Sequence, residues 1–305
     1  MPLKMSPRLS IIVPTYNGAA KIPLLLESLL RQTFQDFELV VVIDGSEDKT
    51  EEILQPYYDR FKACKIISQV NSGRSVVRNR GAIEASGDIL IFYDDDMEPD
   101  SDSVDRHNSF HKKYDGILVG NPVEFMNSEK TDFQNYKALL TSIWTEKYSE
   151  GFTQMDYSNL FFTAANCSIA KNLFFAMEGF DERLTDAEDY DFGYRALERK
   201  IPVSFDKSNK AIHHDPITAE KYIQRLRLYG IAHFRLYELH PERKHNFTIK
   251  KSYWKRMLYR LVANPHLVKL IDKGFFKRIF PESIRFKIYD FVIQALAVEF
   301  PLKPL

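Results

Sequence analysis

Apolar positions along the first hundred residues switch repeatedly between unbroken runs and helical spacing. Ser10-Ile11-Ile12-Val13-Pro14 is a short β-rich run, broken at Asn17-Gly18 before Ile22, Leu25, Leu26, Leu29 and Leu30 recur with the period of a helix. Glu38-Leu39-Val40-Val41-Val42-Ile43 lacks polar alternation, as a central parallel strand covered on both faces does, and Asp44-Gly45-Ser46 ends it. A helix is expected over Glu47 to Leu54, a strand over Lys65 to Gln69 and a turn at Asn71-Ser72-Gly73. A helix from Arg74 to Ala85 and a strand from Ile89 to Tyr93 follow. This alternation predicts an α/β fold built on an open, Rossmann-like, mostly parallel sheet with right-handed crossovers.

Beyond Asp100 the pattern loosens. Ile117 to Val123 and Asn166 to Ile169 read as strands, Leu173 to Met177 and Ala187 to Arg199 as helices, and Val203 to Phe205 and Ala211-Ile212 as two short strands. Ala219 to Leu239 is helical, and the remainder reads as helices broken at Pro265 and Pro281. There are no internal repeats or low-complexity tracts.

The 305 residues carry 42 basic and 42 acidic side chains, so no global field for nucleic acid is implied. The two cysteines, Cys64 and Cys167, are too few for a disulfide framework; each reads as a small core residue in a reducing compartment. No apolar run reaches the ~18 residues needed to cross a bilayer, so a cytoplasmic protein is expected. From Lys250 to Lys287, however, basic residues outnumber acidic ones and interleave with Trp254, Tyr259, Phe275, Phe276, Phe280, Phe286 and Phe291. Such a segment suits either a helix at the inner face of a membrane or one that caps a core.

Candidate chemistry starts at Asp94-Asp95-Asp96, directly after the apolar run Ile89 to Tyr93. So much negative charge beside a buried strand needs compensation, either from solvent in an exposed turn or from a hard divalent cation such as Mg2+ or Mn2+. In an open α/β sheet, ligands bind outside the carboxyl ends of the strands. Pro14-Thr15-Tyr16, Asp44 and the acidic triplet therefore converge on one rim.

Together these residues resemble the GT-A glycosyltransferases of family 2, over roughly Ser10 to His214. The matching stretches are Ile11-Ile12-Val13-Pro14-Thr15-Tyr16-Asn17, Asp44-Gly45-Ser46 with Asp48, and Asn71-Ser72-Gly73 followed by Arg78-Asn79-Arg80-Gly81. Asp94-x-Asp96 and Gly179-Phe180-Asp181-Glu182 ahead of Glu188-Asp189 complete the set. The second stretch departs from the family pattern, with Ile43 in place of a first acid.

The resemblance implies a domain over residues 1–218 and a helical, basic and aromatic region over 219–305. It implies an inverting transfer of one sugar from a nucleotide-diphosphate sugar, UDP-linked by default, to a hydroxyl of a glycan or lipid-linked glycan. Pro14, Tyr16, Asp44, Asn71, Arg78, Asp94 and Asp95 would contact the donor, Arg78 through paired N–H donors to the diphosphate. Asp94 and Asp96 would hold Mn2+ or Mg2+ together with one of the adjacent pair His213-His214, which point to opposite faces of a strand, His214 being preferred; Asp189, with Glu188 beside it, would take the acceptor's proton. Arg78 alone could equally be a solvent-facing helical residue, and the acids at 188–189 could simply favour a helix N-terminus.

Gln224-Arg225-Leu226-Arg227-Leu228 holds the Gln-x-x-Arg part of a processive-synthase motif, but Leu228 stands where Trp is expected, which favours single transfer. Two other classes remain: a nucleotidyltransferase, which calls for a basic Gly-rich loop where Thr15-Tyr16-Asn17-Gly18-Ala19-Ala20 stands, and a silent GT-A-like binding protein, which predicts loss of the carboxylates that are present.

Overall fold

The protein is described here from a computed structural model covering residues 9–124, 126–127, 129–246 and 253–302. The chain divides into two compact units, Met1–Val123 with Trp144–His214, and Glu124–Ile143 with Asp215–Leu305.

Among the described residues, the first unit holds a sheet of nine strands. These are β1 (Leu9–Thr15), β2 (Phe37–Asp44), β3 (Cys64–Gln69), β4 (Ile89–Tyr93), β5 (Met97–Pro99), β6 (Ile117–Val123), β7 (Phe152–Gln154), β8 (Asn166–Ala170) and β9 (Val203–His213). Its helices are α1 (Ile22–Leu30), α2 (Thr50–Leu54), α3 (Arg74–Glu84), α4 (Ser103–His111), α6 (Lys171–Ala176) and α7 (Glu188–Glu198). Helix α5 (Asp132–Glu146) begins in the second unit.

Strand order is β3-β2-β1-β4-β8-β6-β9-β5, with β7 paired to β9. The first four strands are parallel, and β2 is buried along its whole length, as its unbroken apolar run requires. Beyond β4 the sheet is mixed, because β8 runs antiparallel to both β4 and β6. Progress across the sheet reverses between β1 and β4. The crevice at the carboxyl ends of these two strands is the topological switch point, where ligands of such sheets bind.

Two departures from the sequence expectation have clear causes. Val203 to Phe205 and Ala211-Ile212 belong to one strand, β9, whose register against β6 jumps from Asp206 opposite Gly120 to Lys210 opposite Asn121. The polar bulge Lys207-Ser208-Asn209 interrupts the apolar pattern without ending the strand. Helix α4 escaped notice because the face it buries mixes Val104 and Phe110 with polar Ser103, His107 and Asn108. His107 bonds through Nδ1 to Ser168 Oγ at 2.8 Å and through Nε2 to Asn166 Oδ1 at 2.9 Å, both inside the core. Burial pushes the His107 imidazole down to about 3, so this network holds neutral groups.

Helix α3 lies unusually close to the sheet. A Cβ on Gly81 would stand 2.4 Å from Ile12 Cγ2 on β1, so only glycine lets the backbones approach this far. That approach sets the height at which α3 presents Arg74 and Arg78 to the strand ends.

In the second unit, Glu124–Ile143 joins α8 (Ala219–Leu239), α9 (Tyr253–Val262), α10 (Pro265–Asp272) and α11 (Glu282–Gln294). Phe133, Tyr136, Tyr222, Ile223, Val268, Ile271, Phe286, Tyr289 and Leu296 form its core. Buried Asp132 accepts from Arg285 Nε at 2.9 Å and from Tyr289 OH at 2.6 Å, so α5 and α11 share a satisfied ion pair. No helix among the described residues is long and apolar enough to cross a membrane. Lys250 and Lys251 lie outside the described residues, as do the side chains of Trp254, Lys255 and Arg256.

Candidate active site

Site side chains gather where β1, β2, β3 and β4 end. Thr15, the last residue of β1, donates through Oγ1 to Asp95 Oδ2 at 2.7 Å, and Lys21 Nζ reaches Asp95 Oδ1 at 2.9 Å. A Cβ on Gly18 would fall 2.0 Å from Thr15 Oγ1 and 2.6 Å from Asp95 Oδ2, which is why the β1–α1 loop turns on glycine. Burial pushes the Asp95 carboxyl above its ordinary value; Lys21 and the Thr15 hydroxyl offset only part of that.

Two loops are tied together along this rim. Asn17 N–H donates to Ser46 Oγ at 3.0 Å, Glu47 N–H donates to Asn17 Oδ1 at 2.8 Å, and Ala19 N–H donates to Asp48 Oδ2 at 3.1 Å. These bonds leave Tyr16 exposed and Pro14 half-buried. Asp44 is buried at the end of β2, and its carboxylate is filled by Ser72 N–H at 2.8 Å, Gly73 N–H at 3.0 Å and Gln69 Nε2 at 3.0 Å. Its acceptor capacity goes into shaping the turn before α3. Asn71 is exposed in that turn and packs against Gly45.

Arg78 is the central cation. It is 3% exposed, donates from Nη2 to Asp94 Oδ1 at 2.7 Å and from Nη1 to Glu188 Oε1 at 2.6 Å, and lies over the Phe180 ring at 5.7 Å. It therefore clamps two carboxylates from distant elements instead of pointing to solvent. Burial alone would raise the Asp94 carboxyl, but Arg78 and Arg74 outweigh it and hold Asp94 below the ordinary carboxylate range. Arg74, one turn earlier on α3, is more exposed and pairs with Asp186 at 2.9 Å.

Helix α7 starts from a tense backbone. Ala187 has φ of +64°, a left-handed conformation that costs a non-glycine residue, and it aims Glu188 inward at Arg78. Asp189, half-buried, accepts from the Tyr190 N–H at 2.7 Å. Burial and then the neighbouring Glu188 charge push its carboxyl well above the ordinary value, and Arg78 counters only part of this.

The loop ahead of α7 is held from both sides. Asn79 donates from Nδ2 to Phe180 O and accepts from Phe180 N–H, each at 2.9 Å, and Arg195 donates to Gly179 O at 2.7 Å. The Arg78-Asn79-Arg80-Gly81 stretch thus works as a joint, with Gly81 against β1, Asn79 on the 179–180 loop and Arg78 between the carboxylates.

On the other side of the triplet, β5 and β9 bring in the histidines. His213, opposite Met97 in the ladder, has Nε2 3.5 Å from Asp96 Oδ1. The next residue, His214, donates its backbone N–H to Asp96 O at 2.9 Å but directs Nε2 to Glu98 at 2.9 Å. Alternation along the strand separates the two rings. Among the described residues no group of three or more His, Cys, Asp or Glu side chains closes on one cation position. Asp96 and His213 still offer an oxygen and a nitrogen side by side, a donor set that fits Mn2+ when phosphate and water oxygens complete its shell.

Sequence reasoning assigns no role to Lys21, Arg74 or Asp186, and of the adjacent pair His213-His214 it favours His214, whereas the ring beside the Asp96 carboxylate is that of His213. For Arg74 a signal existed: it is four residues before Arg78 on a helix, hence on the same face.

Comparison with known proteins bears on the family and the fold. The family model described as "Glycosyl transferase family 2" matches residues 10–175. An uncharacterized glycosyltransferase of Haemophilus influenzae is 27% identical over 294 residues, covering 87% of each chain. Other curated glycosyltransferases are matched over less of their length, 26% to 55% in three of them. Among solved structures, residues 1–349 of Staphylococcus aureus TarS in complex with UDP superpose with a TM-score of 0.55 at 20% identity, covering 94% of this chain and 90% of that one. The mannosyltransferase PcManGT from Pyrobaculum calidifontis, in complex with GDP-Man and Mn2+, gives 0.60 at 15% identity, with 99% and 89% covered. Both likenesses are to GT-A folds.

Removing the central cation leaves buried Glu188 and half-buried Asp94 uncompensated. Arg78→Ala should cost about 3–5 kcal/mol of unfolding free energy, whereas Arg74→Ala, at an exposed pair, should cost no more than about 1 kcal/mol. Urea denaturation measures both, and equal losses would refute the clamp.

Proposed function

Because the chain belongs to glycosyl transferase family 2 and is a glycosyltransferase, we propose that it moves a single sugar from a nucleotide-diphosphate donor to an acceptor hydroxyl with inversion. The observation that carries this reading is the clamp, in which one guanidinium ties the end of β4 to the start of α7. It sets Asp94 beside Glu188 and Asp189.

The donor lies over the switch point between β1 and β4, with Tyr16, Asn71 and the rim of Pro14 around its nucleoside. UDP is the nucleotide, as in the TarS complex. Asp44 acts on the donor indirectly, through the turn it holds, and Arg78 by holding Asp94, while Lys21 sets Asp95. Asp96 and His213, with Asp94 beside them, would hold Mn2+ or Mg2+, the former being the ion bound with GDP-Man in PcManGT. When bound, the metal neutralises charge on the departing diphosphate.

Asp189 takes the proton from the acceptor hydroxyl. The acceptor oxygen forms the new bond to the anomeric carbon, the bond from that carbon to the phosphate oxygen breaks, and its electron pair leaves with the nucleoside diphosphate. A carboxyl raised above its ordinary value is a stronger base once ionised, which suits this step. Glu188 keeps Arg78 in place and, by its own charge, keeps Asp189 basic.

For the acceptor, a lipid-linked glycan at an anionic membrane surface suits the second unit. Met257, Leu258, Leu261, Phe275 and Ile279 are exposed there, as are Arg260, Lys269, Lys273, Lys277 and Arg278. The remaining described tail aromatics, Tyr259, Phe276, Phe280, Phe286 and Phe291, pack into or against the core of that unit.

Asp189→Asn should lower turnover by about 10²–10⁴-fold while UDP still raises the melting temperature; full turnover would remove the base assignment. The wild-type rate should fall toward acid, since Asp189 must be ionised, with the acid limb above the value of about 4 expected of an ordinary Asp. A pH profile of kcat/KM without such a limb would contradict this. His213→Ala should need roughly 10–100-fold more Mn2+ for the same UDP thermal shift, and His214→Ala much less; equal responses would return the ligand assignment to either ring. In flotation assays the protein should rise with vesicles containing phosphatidylserine and not with purely zwitterionic ones, and failure to rise with either would exclude the lipid surface.

A further inference from the structure

The outward face of α7 carries chemistry that the transfer reaction has not used. Glu188, Asp191, Phe192 and Ala196 are buried, which leaves Tyr190 and Tyr194, one turn apart, on the side facing away from the core. The chain ahead of β8 crosses this helix closely. A Cβ on Gly193 would sit 2.8 Å from Phe162 Cβ, so only glycine permits the crossing. Five residues earlier the same loop sets Tyr157 against Tyr194, with ring centroids 5.1 Å apart and planes inclined at 56°. Tyr190 and Tyr194 follow at 6.1 Å and 41°.

This arrangement is built. Asp156 accepts from the Ser158 N–H at 2.8 Å, Asn159 Oδ1 accepts from the Asp156 N–H at 2.7 Å, and Met155 N–H is anchored on Val203 O at 2.8 Å. An ordered turn nevertheless leaves Tyr157 53% exposed. Tyr190 and Tyr194 are half-buried beside it, and a cluster of rings with part of its surface in solvent suits a binding site. Its place on the helix points to the occupant, since Glu188 faces Arg78 and Tyr190 and Tyr194 lie within the first two turns of the same helix that carries Asp189 at its start.

The geometry points to Tyr157, Tyr190 and Tyr194 as an acceptor subsite that binds a pyranose ring of a glycan and presents one of its hydroxyls to Asp189. The inference rests on the transfer reading above and adds to it a saccharide, as the part of the acceptor that is gripped. A pyranose has a face of C–H groups that packs on an aromatic ring by dispersion, while its hydroxyls stay available to water and to phenol oxygens. Rigid rings with two side-chain torsions lose little entropy in doing so.

The test uses the full chain and saturation-transfer NMR with maltotriose, cellotriose and chitotriose, alongside the thermal shift produced by UDP with Mn2+. At least one trisaccharide should show transfer with the wild type. The signal should fall at least fivefold in Tyr157→Ala/Tyr194→Ala and return in Tyr157→Phe/Tyr194→Phe, with the UDP shift unchanged throughout. No trisaccharide signal from the wild type, or an equal signal from the alanine variant, overturns the subsite. A variant that loses the UDP shift together with the sugar overturns it as well, because the rings then serve the fold or the donor. Saccharide transfer that depends on the tyrosines in a protein that never responds to UDP supports the subsite and defeats the donor reading instead.

Discussion

One buried cation organises the rim where the parallel strands end. Arg78 is held between half-buried Asp94 and buried Glu188 and compensates both charges. Pairs of this kind add little net stability when intact, since desolvation consumes most of the attraction, but breaking one strands a charge. The arrangement is therefore all or nothing. It joins the end of a strand to the start of a helix and leaves few alternative positions for either.

The neighbouring contacts make sense as supports for that cation. Gly81 brings α3 close enough to β1, Asn79 grips the backbone at Phe180, and Arg195 holds Gly179 from α7 itself. The left-handed Ala187 is the cost of turning Glu188 inward at the first position of the helix. The same field divides the acids by task. Asp94, beside two guanidiniums, is kept ionised, and Asp189, beside another acid and partly shielded from water, is kept basic. Asp95 lies apart from both, tied to Thr15 and Lys21.

Much of this was legible in the order of residues, and the limits have physical causes. The four parallel strands follow from unbroken apolar runs, and the switch-point crevice follows from their alternation with helices. Helix α4 was hidden because buried polar side chains, among them hydrogen-bonded His107, interrupt the apolar period between Val104 and Phe110 on its inner face. Strand β9 looked like two strands because a polar bulge interrupts it. The acids were visible as acids, but the partner of each was not.

What the sequence determined by itself is the fold class and the inventory of reactive groups, because both are local: periodicity selects strand or helix, and residue type sets charge and ligand chemistry. The tertiary structure alone decided the pairing. Arg78 finds Asp94 across 16 positions and Glu188 across 110, and no spacing rule connects them. Strand alternation decided that the ring of His213 and not that of His214 stands beside the Asp96 carboxylate, and helix phase decided that Glu188 turns to the cation while Tyr190 turns outward. A charge's neighbours, and with them its protonation and its task, exist only once the chain has closed on itself.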